Sequence, residues 1–491
     1  VTRDQEAAPP DGVVRLGGWY FSSEEQPFRR SRYVASVPRE LPLKLVERNA
    51  EGVVRHEQHV QGDAVVHEFE ALDQPRELDE PHAPPRAWWL PWIEFGMDAD
   101  VPRHLASMAI GMREPTEVTP EVRAAADKVV AGVQGDEARA RALHDFVSKA
   151  LDKRGWEGAA AALLGREGNA AVLYAALLQA ADVPHELVWS RGVSPEADPE
   201  PDPPFAEEGY WAHKLLVLVE PRDGAPAWCD LDSESLPYGQ LMHDAPGAPA
   251  VALPSRRMLA VPAAPLDDRP TFDFALQVQP ATDGSAQVQA TAVPRGGLEW
   301  IFKEGLRQAP AAAIKNWAQE LFATLAPGID LSRHELPGLR EADVPLTITG
   351  EGRVPLFLDD DGRSLSCTLP VPPLDLGARL AGGEGRRRLP YFLPDPVVQF
   401  TDARIALPPG LAVAELPAGL ALDWKGGHYE LSVEPDGAGG IAVRRRVALP
   451  PFALEAGDYA AFADFCAQVD AAERGRLRLS RTAVDPPGSA R

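Results

Sequence analysis

Gly165-Arg166-Glu167-Gly168-Asn169 stands directly ahead of Ala170-Ala171-Val172-Leu173-Tyr174-Ala175-Ala176-Leu177-Leu178-Gln179-Ala180, an apolar run of helical length. A strand-like run opens at His213 and continues Lys214-Leu215-Leu216-Val217-Leu218-Val219, and a second stretch ends in Trp228-Cys229-Asp230-Leu231-Asp232. A helix start, a histidine on one strand and an aspartate on the next is the order in which a thiol catalytic triad is assembled. The helix N-terminus favours the thiolate, the histidine moves the proton, and the aspartate fixes the imidazole tautomer. His213 and Asp230 are in place, but no cysteine occupies the helix start.

Upstream, Thr119-Pro120-Glu121 has the form of a helix N-terminus, with Thr as cap and Pro in the first turn. A second helix is predicted from Asp136 to Lys149, where Ala138, Leu143, Phe146 and Val147 make one apolar stripe. Helices followed by strands give an α+β order, not the βαβ alternation of a parallel sheet. Residues 13–75 read as strands and turns, including Arg32–Val37, Leu43–Glu47 and Ala64–Glu70. A connector rich in proline and tryptophan follows, with Trp88, Trp89 and Trp92.

From Thr271 to the end, short strands recur between Gly, Pro and Asp turns, a sandwich-like pattern. It is broken by one helix, Ala311 to Leu325, and closed by another from about Asp458 to Val469. The predicted domains are 1–92 (β, with the connector), 93–262 (helices plus sheet) and 263–491 (β with two helices). The acidic, proline-rich stretch Ser194 to Pro204 reads as a mobile loop before His213.

The chain has 491 residues, 73 acidic against 49 Lys and Arg, and a formal net charge of −24. That balance repels nucleic acid and anionic lipid, so neither is an expected partner. Apolar runs are too short for a spanning helix, so direct membrane insertion is not expected of this chain. The N-terminal residues carry no apolar signal core, and Val1 as first residue leaves room for an upstream segment. Cys229, Cys367 and Cys466 fit neither a disulfide framework nor a zinc pattern and read as packing residues. His56-Glu57-Gln58-His59 has metal-like composition without the helical His-Glu-x-x-His spacing, and it lies at a strand edge. Asp359-Asp360-Asp361-Gly362 reads as a turn and lacks the later ligands of a calcium loop.

The order of elements resembles bacterial transglutaminase-like proteins, with an N-terminal β domain of unknown function, a papain-like transglutaminase core and a C-terminal β domain. The resemblance rests on an ordered set of short motifs. Val66-His67-Glu68-Phe69-Glu70-Ala71 is similar to the end of the family's first domain. In the core, Ala176-Leu177-Leu178-Gln179-Ala180-Ala181-Asp182-Val183-Pro184 is similar to its helix and exit, Ala212-His213 leads a strand, and Trp228-Cys229-Asp230 stands near its Trp-x-Asp. Arg388-Leu389-Pro390, Leu407-Pro408-Pro409-Gly410, Leu416-Pro417 and Asp458-Tyr459-Ala460-Ala461-Phe462 match C-terminal landmarks. The family carries Gly-Asp-Cys at the helix start. Counting back from Pro184 without gaps puts Gly165 on the Gly, Arg166 on the Asp and Glu167 on the Cys.

A carboxylate is a weak nucleophile toward amides, so Glu167 does not replace a thiolate. Its bland role is to complement the helix dipole or cap the helix. His213 and Asp230 then read as a relic pair, in preference to an unrelated core histidine. Alternation along the strand points Cys229 away from the face of Asp230. A metal held by Glu167, His213 and Asp230 is chemically allowed but nothing in the spacing demands it. The expectation is a degenerate triad (Glu167, His213, Asp230) in a non-catalytic binding or assembly module, with a protein or peptide partner and no cofactor or metal. The alternative is a peptidase, amidase or acyl-transfer enzyme with a non-standard nucleophile or a metal. The resemblance further implies a periplasmic setting.

Overall fold

A computed structural model describes residues 15–41, 43–77, 80–97, 106, 108–191, 214–233, 236–241, 247–253, 255–262, 271–341, 344–362, 364–381 and 387–482. The chain divides into two compact units, one of Val1–Glu234, Tyr238–Ala263 and Leu389–Phe392, the other of Ser235–Pro237, Ala264–Arg388 and Leu393–Arg491. The class is α+β, as the order of elements predicts.

The first unit opens with six strands, β1 (Arg15–Tyr20), β2 (Phe28–Pro38), β3 (Leu43–Arg48), β4 (Arg55–Gln61), β5 (Ala64–Gln74) and β6 (Trp92–Met97). They make two antiparallel sheets, β1-β6-β3 and β2-β5-β4. Phe69 and Ala71 from one sheet and Ile93 and Phe95 from the other bury a shared core with Phe21. Period-two alternation is the cause: residues on one face of each strand are apolar and meet, while those on the other carry Arg30, Arg32, Glu68 and Glu70 in ion pairs.

Among the described residues, helices α1 (Pro120–Val129), α2 (Asp136–Ala150), α3 (Ala159–Gly165) and α4 (Ala170–Ala180) follow. Thr119 caps α1, its hydroxyl accepting from the Val122 amide at 3.4 Å, with Pro120 in the first turn. Asn169 caps α4, accepting from the Val172 amide at 3.1 Å. The cap of α2 comes from far away in sequence. Gly135 offers no side chain, and the Asp223 carboxylate accepts from the amides of Asp136 and Glu137 at 3.0 Å each.

All of α4 except Gln179 is buried. It packs on α1, α2 and α3 and on an antiparallel sheet. That sheet has the order β11-β10-β9-β12-β13, where β9 is His185–Ser190, β10 Lys214–Val219, β11 Ala227–Cys229, β12 Pro249–Leu253 and β13 Met258–Ala260. Leu215, Val217, Val219 and Cys229 face the helices, while Leu216, Leu218, Val188 and Ala252 form a second core on the opposite face. A strand buried on both faces reads as a continuous apolar run, which is why β10 shows no alternation.

The second unit is built on an eight-stranded sheet with the order 330–335, 348–354, 286–295, 271–280, 397–405, 441–449, 427–435 and 420–424. Only the pairing of Thr271–Pro280 with Val397–Ile405 is parallel. Helices Gly297–Arg307, Ala311–Leu325 and Tyr459–Glu473 belong to this unit. The sequence pattern predicts a single helix between residues 295 and 330, and the structure corrects this to two. Pro294 and Gly296-Gly297 read as a turn, yet Trp300, Lys303 and Leu306 recur at helical spacing and are buried. Among the described residues, no helix is long and apolar enough to cross a membrane.

Candidate functional site

Two short strands position the entry to α4. Lys153–Arg154 (β7) runs parallel to Glu167–Gly168 (β8), with Lys153 opposite Glu167 and Arg154 opposite Gly168. Arg166 ends α3 in the left-handed region at φ 58°, and its guanidinium grips the Asp152 carboxylate at 2.7 and 2.8 Å. Glu167 is half-buried and lies two residues ahead of the Asn169 cap. Of the two roles expected of Glu167, the cap belongs instead to Asn169. The Glu167 backbone is committed to β8, and the shorter Asn169 side chain sits where it reaches the third amide of the helix. Gly168 is required by space, since a Cβ there would come 2.6 Å from the Cβ of Ala162.

The segment after β7 closes over this entry. The Gly155 amide donates to the Gly168 carbonyl at 3.0 Å and the Asn169 amide to the Glu157 carbonyl at 3.3 Å. Trp156, held between these bonds, is 76% exposed and stacks on Trp189 of β9 with ring centroids 6.4 Å apart. Sequence reading passed over Trp156. Its signal was a bulky aromatic framed by glycines, Gly155-Trp156-Glu157-Gly158.

Asp230 follows β11 and is fully buried. One carboxylate oxygen accepts from the Asp232 amide at 3.0 Å and the other meets the Lys214 ammonium at 2.7 Å, with Asp232 3.6 Å from the same nitrogen. Lys214 is itself buried. Sequence reading assigned Asp230 to His213 and overlooked the neighbouring lysine, although a buried carboxylate needs a cation or several donors whichever supplies them. His213 lies outside the described residues, as does Ser194 to Pro204. The structure brings Lys214 to Asp230 and sets Glu167 at the entry to α4.

The Cys229 thiol takes the helical side of the sheet. There it contacts the Tyr174 hydroxyl, which donates to the Ala140 carbonyl at 3.0 Å. Burial pushes the thiol up to about 12. His144 of α2 packs edge-on against both Tyr174 and Tyr238, and its nearest acid, Asp145, is 3.7 Å away, beyond hydrogen-bond range. Cys229, Tyr174 and Tyr238 are part of the buried core here. Cys367 and Cys466 in the second unit are also buried, each likewise pushed up to about 12. Among the described residues no group of three or more His, Cys, Asp or Glu side chains is disposed to hold a metal ion.

No family model matches the chain, and no curated protein matches it. A solved structure from Parabacteroides distasonis, described as that of a "putative protease", is similar over 94% of this chain and 75% of its own length, with a TM-score of 0.53 and 13% identity. At that identity the likeness concerns the fold alone.

Proposed function

We propose that the chain is a transglutaminase-like protein without catalytic activity, whose core cleft binds a protein or peptide without cleaving or cross-linking it. The observation that carries this reading is the want of a usable thiol. The entry to α4 reads Gly165-Arg166-Glu167-Gly168-Asn169, and all three cysteines are buried, with thiols held up to about 12 by burial. A thiol of that kind is ionised to roughly one part in 10⁵ at pH 7, far below what acyl transfer needs.

Two further features support binding. Exposing an indole to water is costly, and rigid aromatics at a rim are what recognition surfaces use, so Trp156 stacked on Trp189 is a ready contact face. The buried Asp230–Lys214 pair ties the start of β10 to the residue after β11.

A peptidase or amidase with a non-standard nucleophile or a metal is the second reading, and the description of the structural neighbour favours it. Incubating purified protein with glutamine-containing peptides separates the two. The proposal expects no hydrolysis and no cross-linking above a His213→Ala control, no stoichiometric metal and no covalent capture by an acyl probe. Turnover that disappears in His213→Ala would overturn it.

A further inference from the structure

The N-terminal sheets are joined by a chain of three ionisable side chains. His56 on β4 and Glu47 on β3 belong to different sheets, yet His56 Nδ1 lies 3.0 Å from a Glu47 carboxylate oxygen. The other ring nitrogen, His56 Nε2, lies 3.2 Å from His67 Nδ1 on β5. The His56 ring also stacks on Phe69, centroids 4.0 Å apart and planes 18° from parallel. Phe69 is fully buried at the centre of the shared core.

The proton positions follow from the acceptors. An ionised carboxylate only accepts, so His56 carries its proton on Nδ1 and offers Nε2 as an acceptor. His67 must then donate from Nδ1, which leaves His67 Nε2 as the open lone pair. One added proton goes there and the chain survives, because His67 still donates to His56. A second added proton has to land on His56 Nε2, the acceptor of the link. Two imidazolium donors would then face each other 3.2 Å apart, and the bond between them is lost. Both His56 nitrogens are engaged, and among the described residues no group of three or more His, Cys, Asp or Glu is disposed to hold a metal, so the ion this geometry suits is a proton.

What the link holds is β4. This strand lies at the edge of β2-β5-β4, and His56 is its one residue that is not exposed. We propose that Glu47, His56 and His67 form a proton-operated clasp on β4, closed with at most one added proton and open when both imidazoles are charged, its opening uncovering Phe69 and the edge of β5.

Few other groups face the clasp. From β2 comes Tyr33, whose hydroxyl burial pushes above its ordinary value, and the facing residues of β1 and β6 are Trp19, Ile93 and Phe95. His59 lies on the other face of β4, beside Glu68. Burial and then the neighbouring His56 lower the affinity of His67 for protons. A histidine so lowered contributes stability that is complete above its unfolded value near 6.5 and is lost as pH falls through the folded one.

The test is hydrogen exchange of the full chain at pH 7.5 and pH 5.0, expressed as protection relative to the unstructured chain at each pH. Protection of the β4 amides should fall at least about tenfold in acid, the effect of one pKa unit of differential interaction, while β10 stays protected. His67→Gln keeps a donor to His56 without the charge and should reduce the fall to under about twofold, whereas His59→Gln should leave it intact. An unchanged fall in His67→Gln, or no fall in the unaltered protein, would overturn the clasp. Should His67→Gln not fold, isotope-labelled histidine in the unaltered chain decides the matter. Two proton-binding steps separated by more than a pH unit support coupling, and two independent steps near 6.5 refute it.

Discussion

Two buried acid–base pairs, one in each unit, look alike and are built differently. In the second unit Arg445 and Glu473 are 2.9 Å apart, and protein groups meet both terminal nitrogens of the guanidinium and both carboxylate oxygens. Arg445 also donates to the Pro372 carbonyl at 2.5 Å, to Thr401 at 3.3 Å and to Gln399, while Glu473 accepts from the Leu374 amide at 2.8 Å and from Tyr429 at 3.4 Å. Asp470, one helical turn earlier, accepts from the amides of Leu376 and Gly377. This is a structural knot that pins the segment 372–377 to the closing helix. In the first unit Lys214 sits between two carboxylates, one fully buried and one largely exposed, beside the strand end where the sequence places a triad histidine. The first arrangement is a fastening, while the second leaves one of its two carboxylates, Asp232, largely exposed.

The comparison can be broken by measurement. Glu473→Gln or Arg445→Leu leaves an uncompensated partner in the core, and urea unfolding should report a loss of about 3–5 kcal/mol. Lys214→Met should cost less, about 2–3 kcal/mol, because Asp230 keeps its amide donor and lies at the end of a strand. Equal losses for the two would show that both pairs are fastenings. Gly168→Ala forces a methyl onto Ala162 and should destabilise by about 1–3 kcal/mol, read as a lower unfolding midpoint. Smallest in energy but clear in outcome is thiol labelling at pH 8. Native protein should react at none of its three cysteines within the time in which urea-unfolded protein reacts at all three. A single fast native thiol would return the core to the enzymes.

Much of this was legible from local signals. The α4 run, the Thr119 cap and the Ala311–Leu325 helix appear where periodicity and capping residues put them, because local chemistry decides them. What escaped reading depends on partners distant in sequence. The Asp223 cap on α2 spans 87 positions, Lys214 reaches Asp230 across neighbouring strands, and His56 meets Glu47 only because two sheets pack. Gly297–Arg307 was hidden for another reason, since its glycine-rich start resembles a turn. The turn read at Asp359–Gly362 begins later than expected: Asp359–Asp360 pair with Leu365–Ser366 as a short strand, and the turn follows, with Gly362 at φ 83° and Asp360 and Asp361 accepting from the amides of Gly362 and Ser364.

The central claim is that a core with Glu167 where the family it resembles carries cysteine binds without reacting. It is tested most directly by one assay on the purified full chain, release of ammonia from glutamine-containing peptides followed alongside peptide cleavage. The account predicts rates indistinguishable from those of His213→Ala. Release or cleavage well above that control would contradict it.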